Sequence, residues 1–335
     1  MVVNIQCGLG NQMFQYAFAK ALQLRFGKNV KLFVPVGYDN MINSDIRRLE
    51  LLSFNISLEF LQENQMQEFF KQHDFGYYFV ESNRDSKIFK ILMSLIPRRI
   101  RKQGYKYLIE DSNNLLQDIN SIDNGGGGVT TFNDGSYFVG YFQNLAYFDN
   151  IRDVLLKDFS LKIPLDSKNI ETKRQILATQ DSVSLHIRRG DYLNYDNIFI
   201  NLGSGYYNGA LNALQKRLKS AHIFVFSNDI LWCKKHFLSH IDSKFRADFS
   251  FSFIDNNSEG NATFELELMK SCKHNIIANS TFSWWAAYLN ENPQKIVIAP
   301  NKFLSITPSD AYKDHEDKIY KKEWIKIDYV WGDEI

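Results

Sequence analysis

The sequence predicts an α/β protein built from two Rossmann-like domains that face each other across a cleft. In both halves of the chain, apolar runs of strand length alternate with segments of helical periodicity, as in parallel sheets. The chain has 335 residues, which is enough for about two domains. A polar stretch at residues 164–173 separates the halves. We therefore expect domains at 1–165 and 166–335, with the last ~30 residues packing back on the first domain.

The N-terminal half begins with a strand, a glycine loop, a helix and a second strand. The helix is predicted because its apolar residues recur at helical spacing and because it contains neither Gly nor Pro. Pro35 ends the second strand, since proline cannot donate to a sheet. In order, the four segments cover residues 2–6, 7–12, 13–22 and 30–34. Helical fragments are expected at 58–72 and 87–96, and four consecutive glycines predict a flexible turn at 125–128.

The C-terminal half shows a more regular pattern. Five apolar runs are predicted to be strands, at residues 182–187, 222–226, 249–254, 275–278 and 295–299. Helices are predicted at 262–272 and 282–290. Because helical segments separate the strands, the sheet should be parallel, and a ligand should bind beyond the carboxyl ends of the strands.

Composition and charge exclude several classes of protein. The 39 Lys and Arg residues balance 38 Asp and Glu residues, whereas nucleic-acid binders usually carry a basic excess. Cys7, Cys233 and Cys272 are too few and too widely spaced for a disulfide framework or a cysteine metal site, which indicates a reducing compartment. The start of the chain lacks a signal-peptide pattern, and no apolar run is long enough to span a membrane. We therefore expect a soluble, cytoplasmic protein that does not bind nucleic acid.

Residues 87–106 form a basic stretch interleaved with apolar residues. An amphipathic stretch of this kind can lie on an anionic membrane surface, which would place the protein at the inner face of the cytoplasmic membrane. A solvated helix face followed by a loop is the alternative interpretation.

The most informative motif is His-Ile-Arg-Arg-Gly-Asp-Tyr at residues 186–192, at the end of a predicted buried strand. Arg188 and Arg189 are permanently charged and suited to bidentate bonding of phosphate oxygens. Asp191 could orient an arginine or accept a proton, and His186 could bind a ligand or be a satisfied core histidine. A surface cluster of salt bridges is the alternative interpretation of the whole motif.

A second motif, residues 279–285, follows the strand predicted to end at residue 278. Ser280 or Thr281 is suited to cap the next helix, and the same N-terminus with its hydroxyl groups could hold a phosphate. Asp229 and Asp255 each come just after a strand and are candidates to bind a base or a ribose. Asp is also an ordinary turn residue, so a purely structural role is the alternative.

The glycine loop at residues 8–13 either offers backbone N–H groups to an anion or is simply a tight turn. Met13 occupies the third glycine position of a dinucleotide fingerprint, and no acidic residue ends the second strand, so a NAD site is disfavoured. The sequence also lacks Asp-x-Asp, zinc-peptidase, α/β-hydrolase and P-loop motifs. The residues therefore predict a cleft that binds a diphosphate-like anion through Arg and helix N-termini, without a metal or another cofactor.

In this order, the motifs resemble those of the α-1,2-fucosyltransferases, which form glycosyltransferase family 11, and the small size of the chain resembles the bacterial members. The resemblance is carried by four segments, residues 8–17, 186–192, 226–229 and 278–285. Residues 35–135 carry no matching motif and are expected to shape the choice of acceptor. The resemblance implies a GT-B fold and transfer of L-fucose from GDP-fucose, with inversion and no required metal. It further implies a galactose-terminated acceptor, lipid-linked in the synthesis of O-antigen or capsule.

The resemblance also implies roles for individual residues. Arg188 matches the arginine that neutralises the donor diphosphate, and His186, Arg189 and Asp191 match the rest of that motif. Arg188, Asp191 and His186 are the expected catalytic residues. Asp191 is the first candidate for the base that takes the acceptor proton and Asp196 the second, or the reaction uses no such base. The expected donor-binding residues are Arg188 and Arg189 together with Asn11, Gln12, Asn279, Ser280, Thr281 and Ser283, with Asp229 and Asp255 as guanosine contacts.

Two other functions fit the same residues less well. A different GDP-sugar transferase, such as an α-1,6-fucosyltransferase, could carry a related Arg-Arg motif. A non-catalytic protein that binds a carbohydrate or a nucleotide is the alternative from another class. The presence of Arg188, Arg189 and Asp191 together argues against the non-catalytic alternative.

Overall fold

The computed structural model describes residues 1–35, 49–73, 107–109, 134–194, 199–257, 259–304 and 315–335. The chain divides into two compact units. Unit 1 comprises Met1–Leu49 and Ile56–Leu155, and unit 2 comprises Glu50–Asn55 and Leu156–Ile335. The main division therefore lies just before the polar stretch, and one short segment of the first half of the chain belongs to unit 2.

Unit 1 contains a four-stranded sheet in the order β2-β1-β4-β3, and each described strand pair is parallel. The sequence pattern predicted the first two strands of this sheet, and it did not predict the third and fourth. The strands are β1 Val2–Asn4, β2 Lys31–Phe33, β3 Tyr107–Ile109 and β4 Tyr137–Val139. The helices are α1 Leu9–Phe26 and α2 Glu63–Gln72, with 3₁₀ turns at Leu145–Tyr147 and Asp149–Ile151.

Helix α1 begins at Leu9, so most of the loop predicted at residues 7–12 is in fact the first turn of this helix. Gly8 has an extended backbone, and its carbonyl accepts N–H bonds from Asn11 at 2.9 Å and Gln12 at 3.1 Å. The helix ends at Gly27, whose φ of +61° is the left-handed conformation that favours glycine. Because α1 is buried along most of its length, its Phe and Ala residues form much of the core of unit 1.

Unit 2 contains a six-stranded sheet in the order β10-β9-β8-β5-β6-β7, again with parallel described pairs. All five strands predicted for this half are present, within a few residues at their ends. The central strand β5 is buried along its length, and Ser184 on it accepts a 2.7 Å hydrogen bond from Asn275 on the neighbouring strand. The strands are β5 Ser182–Ile187, β6 Ala221–Ser227, β7 Phe249–Phe253, β8 His274–Ile276, β9 Val297–Pro300 and β10 Ile325–Ile327.

Helix α3 Arg152–Asp158 spans the division between the two units. The helices of unit 2 are α4 Ser167–Ala178, α5 Ser204–Gln215, α6 Ile230–Trp232, α7 Phe245–Asp248, α8 Ala262–Ser271, α9 Thr281–Leu289 and α10 His315–Ile319. Helix α6 continues through a π-helical turn at Cys233–Phe237 and ends as Leu238–His240. Short 3₁₀ turns lie at Glu50–Ser53, Gly190–Asn194 and Glu259–Asn261.

The interpretation of residues 164–173 as a linker is wrong in its second part, because α4 begins there. The carboxylate of Asp166 accepts an N–H bond from Asn169 at 2.9 Å and so caps this helix. The helix is polar except on the face that carries Asn169, Thr172 and Ile176, which are buried. A surface helix with so narrow a buried face has a weak apolar period, and the sequence pattern missed it.

Several sequence predictions fall on residues that the structure does not describe. The basic stretch at 87–106 lies outside the described residues, and so do the glycines at 125–128. The end of the chain belongs to unit 2, where β10 pairs with β9. In the part of the chain that is described, no helix combines the length and apolar character needed to cross a bilayer.

Candidate active site

The central strands β5 and β8 of unit 2 lie side by side, and the chain proceeds from them towards opposite edges of the sheet. It passes from β5 to β6 and β7 on one side, and from β8 to β9 and β10 on the other. Such a topological switch point is where α/β sheets bind ligands, beyond the carboxyl ends of the strands. The motifs at residues 186–192 and 279–285 begin at the ends of these two strands, so the fold brings them together.

Arg188 is the first residue after β5 and is half-buried. Its guanidinium carbon lies 5.3 Å from the centroid of the Tyr192 ring, within the range of a cation–π contact. The Tyr192 ring stacks on Phe199 with centroids 4.2 Å apart, and its hydroxyl donates a 3.0 Å hydrogen bond to the main-chain oxygen of Asn279. Through Tyr192, Arg188 is therefore linked to the loop that follows β8.

Glu265 is an acidic neighbour of Arg188 that the sequence analysis did not identify. It lies in the first turn of α8 and is half-buried. Burial raises the pKa of Glu265 to about 7, while the positive charge of Arg188 acts in the opposite direction. Carboxyl groups that have a perturbed pKa and lie beside a cation are found preferentially at functional sites. Glu265 is therefore added to the candidate site residues. Acidic residues are ordinary in the first turn of a helix, and the sequence therefore carried no signal for it.

His186 is buried near the end of β5. Burial, assisted by the charge of Arg188, lowers its pKa to about 3, so the imidazole is neutral at neutral pH. Its Nδ1 has no hydrogen-bond partner among the described residues, and its ring centroid lies 5.8 Å from that of Phe282. A neutral imidazole can exchange hydrogen bonds with a ligand, but a group with so low a pKa is a poor base.

Asn279 ties together the loops that surround the ends of β5 and β8. Its Nδ2 donates to the main-chain oxygens of Ile200 at 2.9 Å and Phe303 at 3.0 Å. Its Oδ1 is buried and has no hydrogen-bond partner within the described parts of the chain. A buried acceptor of this kind costs free energy unless water or a ligand satisfies it. Asn279 thus combines a structural role with an acceptor at the floor of the candidate site.

The hydroxyl residues at the start of α9 have different environments. Ser280 is the N-cap, yet its side chain makes no capping bond to the described residues. Ser283 is fully buried and exchanges hydrogen bonds with Ala278 and Ser280, so it fixes the turn. Thr281 is half-buried at the first position of the helix. The N-terminus of α9 and the hydroxyls of Ser280 and Thr281 are therefore the groups suited to an anion here.

Arg189 points to the other side of β5 and pairs with Asp229, the residue predicted to contact guanosine. Its Nε lies 3.3 Å from Asp229 Oδ2, and its guanidinium carbon lies 4.0 Å from the centroid of the Trp232 ring. Its main-chain N–H donates a 3.0 Å hydrogen bond to Asn228 Oδ1. Asp229 also caps α6 by accepting the N–H of Trp232 at 3.3 Å. The two predicted donor-binding residues therefore contact each other.

The other predicted carboxylates are less informative. Asp255 follows the edge strand β7, two strands from β5, and pairs with Lys234 at 2.5 Å and with Lys168 at 3.6 Å. The hydrogen bond from Lys234 lowers the pKa of Asp255. Asp191 is the second residue of the 3₁₀ turn after β5, and Asp196 lies outside the described residues. The choice of the catalytic base therefore stays a prediction. Where side chains are described, no three His, Cys, Asp or Glu residues converge as metal ligands would.

Asn11 and Gln12 lie in the first turn of α1 in unit 1. Gln12 is buried, and its amide donates a 2.8 Å hydrogen bond to the main-chain oxygen of Cys7. Cys7 has a φ of +66°, which a residue other than glycine rarely adopts, so Gln12 supports a strained loop. Asn11 Oδ1 accepts a 2.9 Å hydrogen bond from Gln143. A contribution of Asn11 and Gln12 to a donor site on unit 2 stays a prediction.

A cationic loop at the switch point of a parallel α/β sheet is suited to an anionic ligand, as in the class to which nucleotide-sugar transferases belong. The comparison with known families specifies the class. Residues 1–328 match the family described as Glycosyl transferase family 11, and the chain belongs to this family.

Among curated proteins, two Escherichia coli relatives are similar over nearly the whole chain. An alpha-1,2-colitosyltransferase is 30% identical over 333 residues, which cover 98% of this chain and 99% of that protein. The O-antigen biosynthesis glycosyltransferase WbnK is 28% identical over 328 residues, covering 96% and 98%. The solved structure of the fucosyltransferase NodZ from Bradyrhizobium is 11% identical and aligns with a TM-score of 0.44, covering 85% of this chain and 91% of that chain.

Proposed function

We propose that the protein transfers L-fucose from GDP-fucose to the 2-hydroxyl of a galactoside acceptor, with inversion and without a metal. Membership of glycosyltransferase family 11 and the E. coli relatives that act in α-1,2 transfer and in O-antigen synthesis support this proposal. The observation that carries it is the position of Arg188, a permanent cation directly after β5, whose ring partner Tyr192 bonds to the loop that leads into α9. The acceptor in this proposal is a lipid-linked O-antigen or capsule repeat on the cytoplasmic side of the membrane.

In the proposed reaction the acceptor oxygen forms a bond to the anomeric carbon while the bond to the β-phosphate oxygen breaks. The sugar carbon becomes oxocarbenium-like, and GDP leaves with the bonding electron pair. Arg188 and the N–H groups of α9 stabilise the negative charge that develops on the phosphate. The acceptor proton passes to a carboxylate, with Asp191 as the first candidate and Asp196 as the second. One displacement of this kind inverts the anomeric centre.

Colitose is a second candidate for the donor sugar. The full-length E. coli relative is named for transfer of colitose, and at 30% identity the two proteins need not share a donor. A nucleotide donor carrying colitose would use the same phosphate contacts, because in this proposal Arg188 and α9 contact the phosphates of the donor and not its sugar. Competing donors therefore form one arm of the test.

The experiment is an assay of GDP release with purified protein and a panel of galactosides that includes lactose, with GDP-fucose as donor in one arm and a GDP donor carrying colitose in the other. We expect GDP release that depends on the acceptor, an α-1,2 linkage by NMR of the product, and unchanged rates in EDTA. Arg188→Ala serves as the inactive control. An α-1,6 linkage in the product would replace the proposal by the alternative transferase. Binding of GDP without turnover on any acceptor would support a non-catalytic protein.

A further inference from the structure

The two adjacent arginines of the Arg-Arg motif diverge to opposite neighbours of β5. Arg188 contacts Tyr192, whose hydroxyl bonds to the loop after β8. Arg189 instead contacts Asp229 and Trp232, which follow β6 on the opposite side of β5. Arg188 is therefore linked to the β8 side of β5, and Arg189 to the β6 side.

Arg189 contacts three residues that follow β6, and we name the four residues together the Arg189 clamp: Arg189, Asn228, Asp229 and Trp232. The Nε of Arg189 is buried, and its 3.3 Å contact with Asp229 is an ion pair without the geometry of a hydrogen bond. The Trp232 ring at 4.0 Å supplies the second attraction, through the face of the indole. Asn228 adds the third, because its Oδ1 accepts the main-chain N–H of Arg189 at 3.0 Å.

The partners of Arg189 are themselves held in place. Asp229 accepts the N–H of Trp232, and its own N–H donates to Ser227 Oγ at 3.0 Å. The Trp232 ring lies 5.6 Å from that of His236 and 5.2 Å from that of His240, both on the same helix. The π-helical turn begins directly after Trp232, and such turns are frequent at functional sites. The clamp is therefore a rigid support at the root of the loop that carries Arg188.

We propose that Arg189 is a positioning residue that acts through the clamp on the loop carrying Arg188, and that it makes no contact with the donor diphosphate. This inference rests on the proposed function, since it concerns the same donor site. Asp229, predicted from the sequence to contact guanosine, is on this account the counter-ion of Arg189. The two charges offset each other within the protein, and moving either to a ligand would break their ion pair.

A double-mutant cycle of Arg189→Ala and Trp232→Leu tests the proposal, with GDP affinity measured by calorimetry and folding checked by circular dichroism. Each single variant should weaken GDP binding by about tenfold, the effect of roughly one lost cation–π contact of a desolvated pair. The double variant should bind no more weakly than Arg189→Ala alone. If Arg189 held the diphosphate itself, its removal from the Trp232→Leu protein would cost a further factor of about ten, and this result would overturn the proposal.

Two further variants separate the clamp from general damage. Trp232→Tyr keeps an aromatic face and should restore most of the affinity lost in Trp232→Leu. Trp331→Leu changes a tryptophan that is 81% exposed on a distant turn and should leave GDP binding unchanged. Equal losses in Trp232→Tyr and Trp232→Leu would contradict the role of the ring face. Failure of the wild-type protein to bind GDP would instead overturn the proposed function. The experiment therefore distinguishes failure of the proposed function from failure of the positioning role of Arg189.

Discussion

The hydroxyl of Tyr192 donates a 3.0 Å hydrogen bond to the main-chain oxygen of Asn279, and this bond joins the loop after β5 to the loop after β8. Both loops carry residues of the proposed donor site. The Tyr192 ring supports Arg188 on the same path, so one side chain connects the cation to the start of α9. The relative position of these two phosphate-binding elements therefore depends on Tyr192.

Tyr192→Phe should lower both stability and donor affinity. The variant keeps the stacked ring but leaves the main-chain oxygen of Asn279 without the donor that Tyr192 supplies. Loss of such a partner costs about 1–3 kcal/mol in a protein interior. Urea unfolding measures the free energy of unfolding, and calorimetry with GDP measures affinity. Phe199→Leu is the complementary variant, because it removes the stacking partner and keeps the hydroxyl. Unfolding free energy equal to that of the wild type in Tyr192→Phe would show that the bond does not form in solution.

Arg188→Ala should reduce kcat by about 10²–10³-fold, as loss of one group that stabilises charge in a transition state does elsewhere. Arg188→Lys should recover only part of the rate, because an ammonium lacks the planar fork of a guanidinium. Initial rates with saturating GDP-fucose provide the measurement. Arg217→Ala is the matched control, since Arg217 follows α5 and pairs with Glu334. A rate within a few fold of wild type in Arg188→Ala would remove Arg188 from the mechanism.

The sequence sufficed for elements with a strong local signal, and failed where contacts are made in three dimensions. Strand β5 and helix α9 were predicted almost to the residue, because a buried apolar run and a serine cap are local features. The pairing of Arg189 with Asp229 depends on β5 and β6 being neighbours in the sheet, which no spacing encodes. Glu265 comes close to Arg188 only through the packing of α8, so its role was invisible before folding.

In the wild-type protein, the affinity for GDP should decrease as the pH rises through about 7. In Glu265→Gln this decrease in affinity should be smaller. Burial raises the pKa of Glu265 to about 7, so the group is mostly neutral below that pH and mostly ionised above it. An ionised Glu265 partly offsets the charge of Arg188 and disfavours a bound anion. Calorimetry between about pH 6 and pH 8 measures the difference. Glu267→Gln on the same helix is the control, because Lys270 and Lys173 keep the pKa of Glu267 low. Identical pH profiles for wild type and Glu265→Gln would contradict the prediction.

His186 should make the protein sensitive to acid. Burial lowers the pKa of His186 to about 3 in the folded state, below its ordinary value of 6.5 in the unfolded chain. The stability that this neutral group contributes is fully present above pH 6.5 and is lost as the pH falls towards 3. Within that window the slope is about 1.4 kcal/mol per pH unit. Chemical unfolding of wild type and His186→Gln at several pH values isolates the effect, since the variant should show a shallower fall. Parallel curves would show that His186 is not buried in the neutral form.

Gly190→Ala should disturb the loop that carries Arg188, whereas Gly203→Ala should not. A Cβ at Gly190 would collide with the side-chain amide of Asn228, the same group that accepts the main-chain N–H of Arg189. To make room, Asn228 must give up that bond, so we expect a loss of about 1–3 kcal/mol in stability and weaker GDP binding. A Cβ at Gly203 meets no atom within 4 Å, which makes Gly203→Ala a matched control. Adding Asn228→Ala to Gly190→Ala removes the collision but not the lost bond, so the double variant should resemble Asn228→Ala alone. Thermal and urea unfolding compare the set, and a loss in the double variant equal to the sum of the two single losses would contradict a direct clash between these two residues.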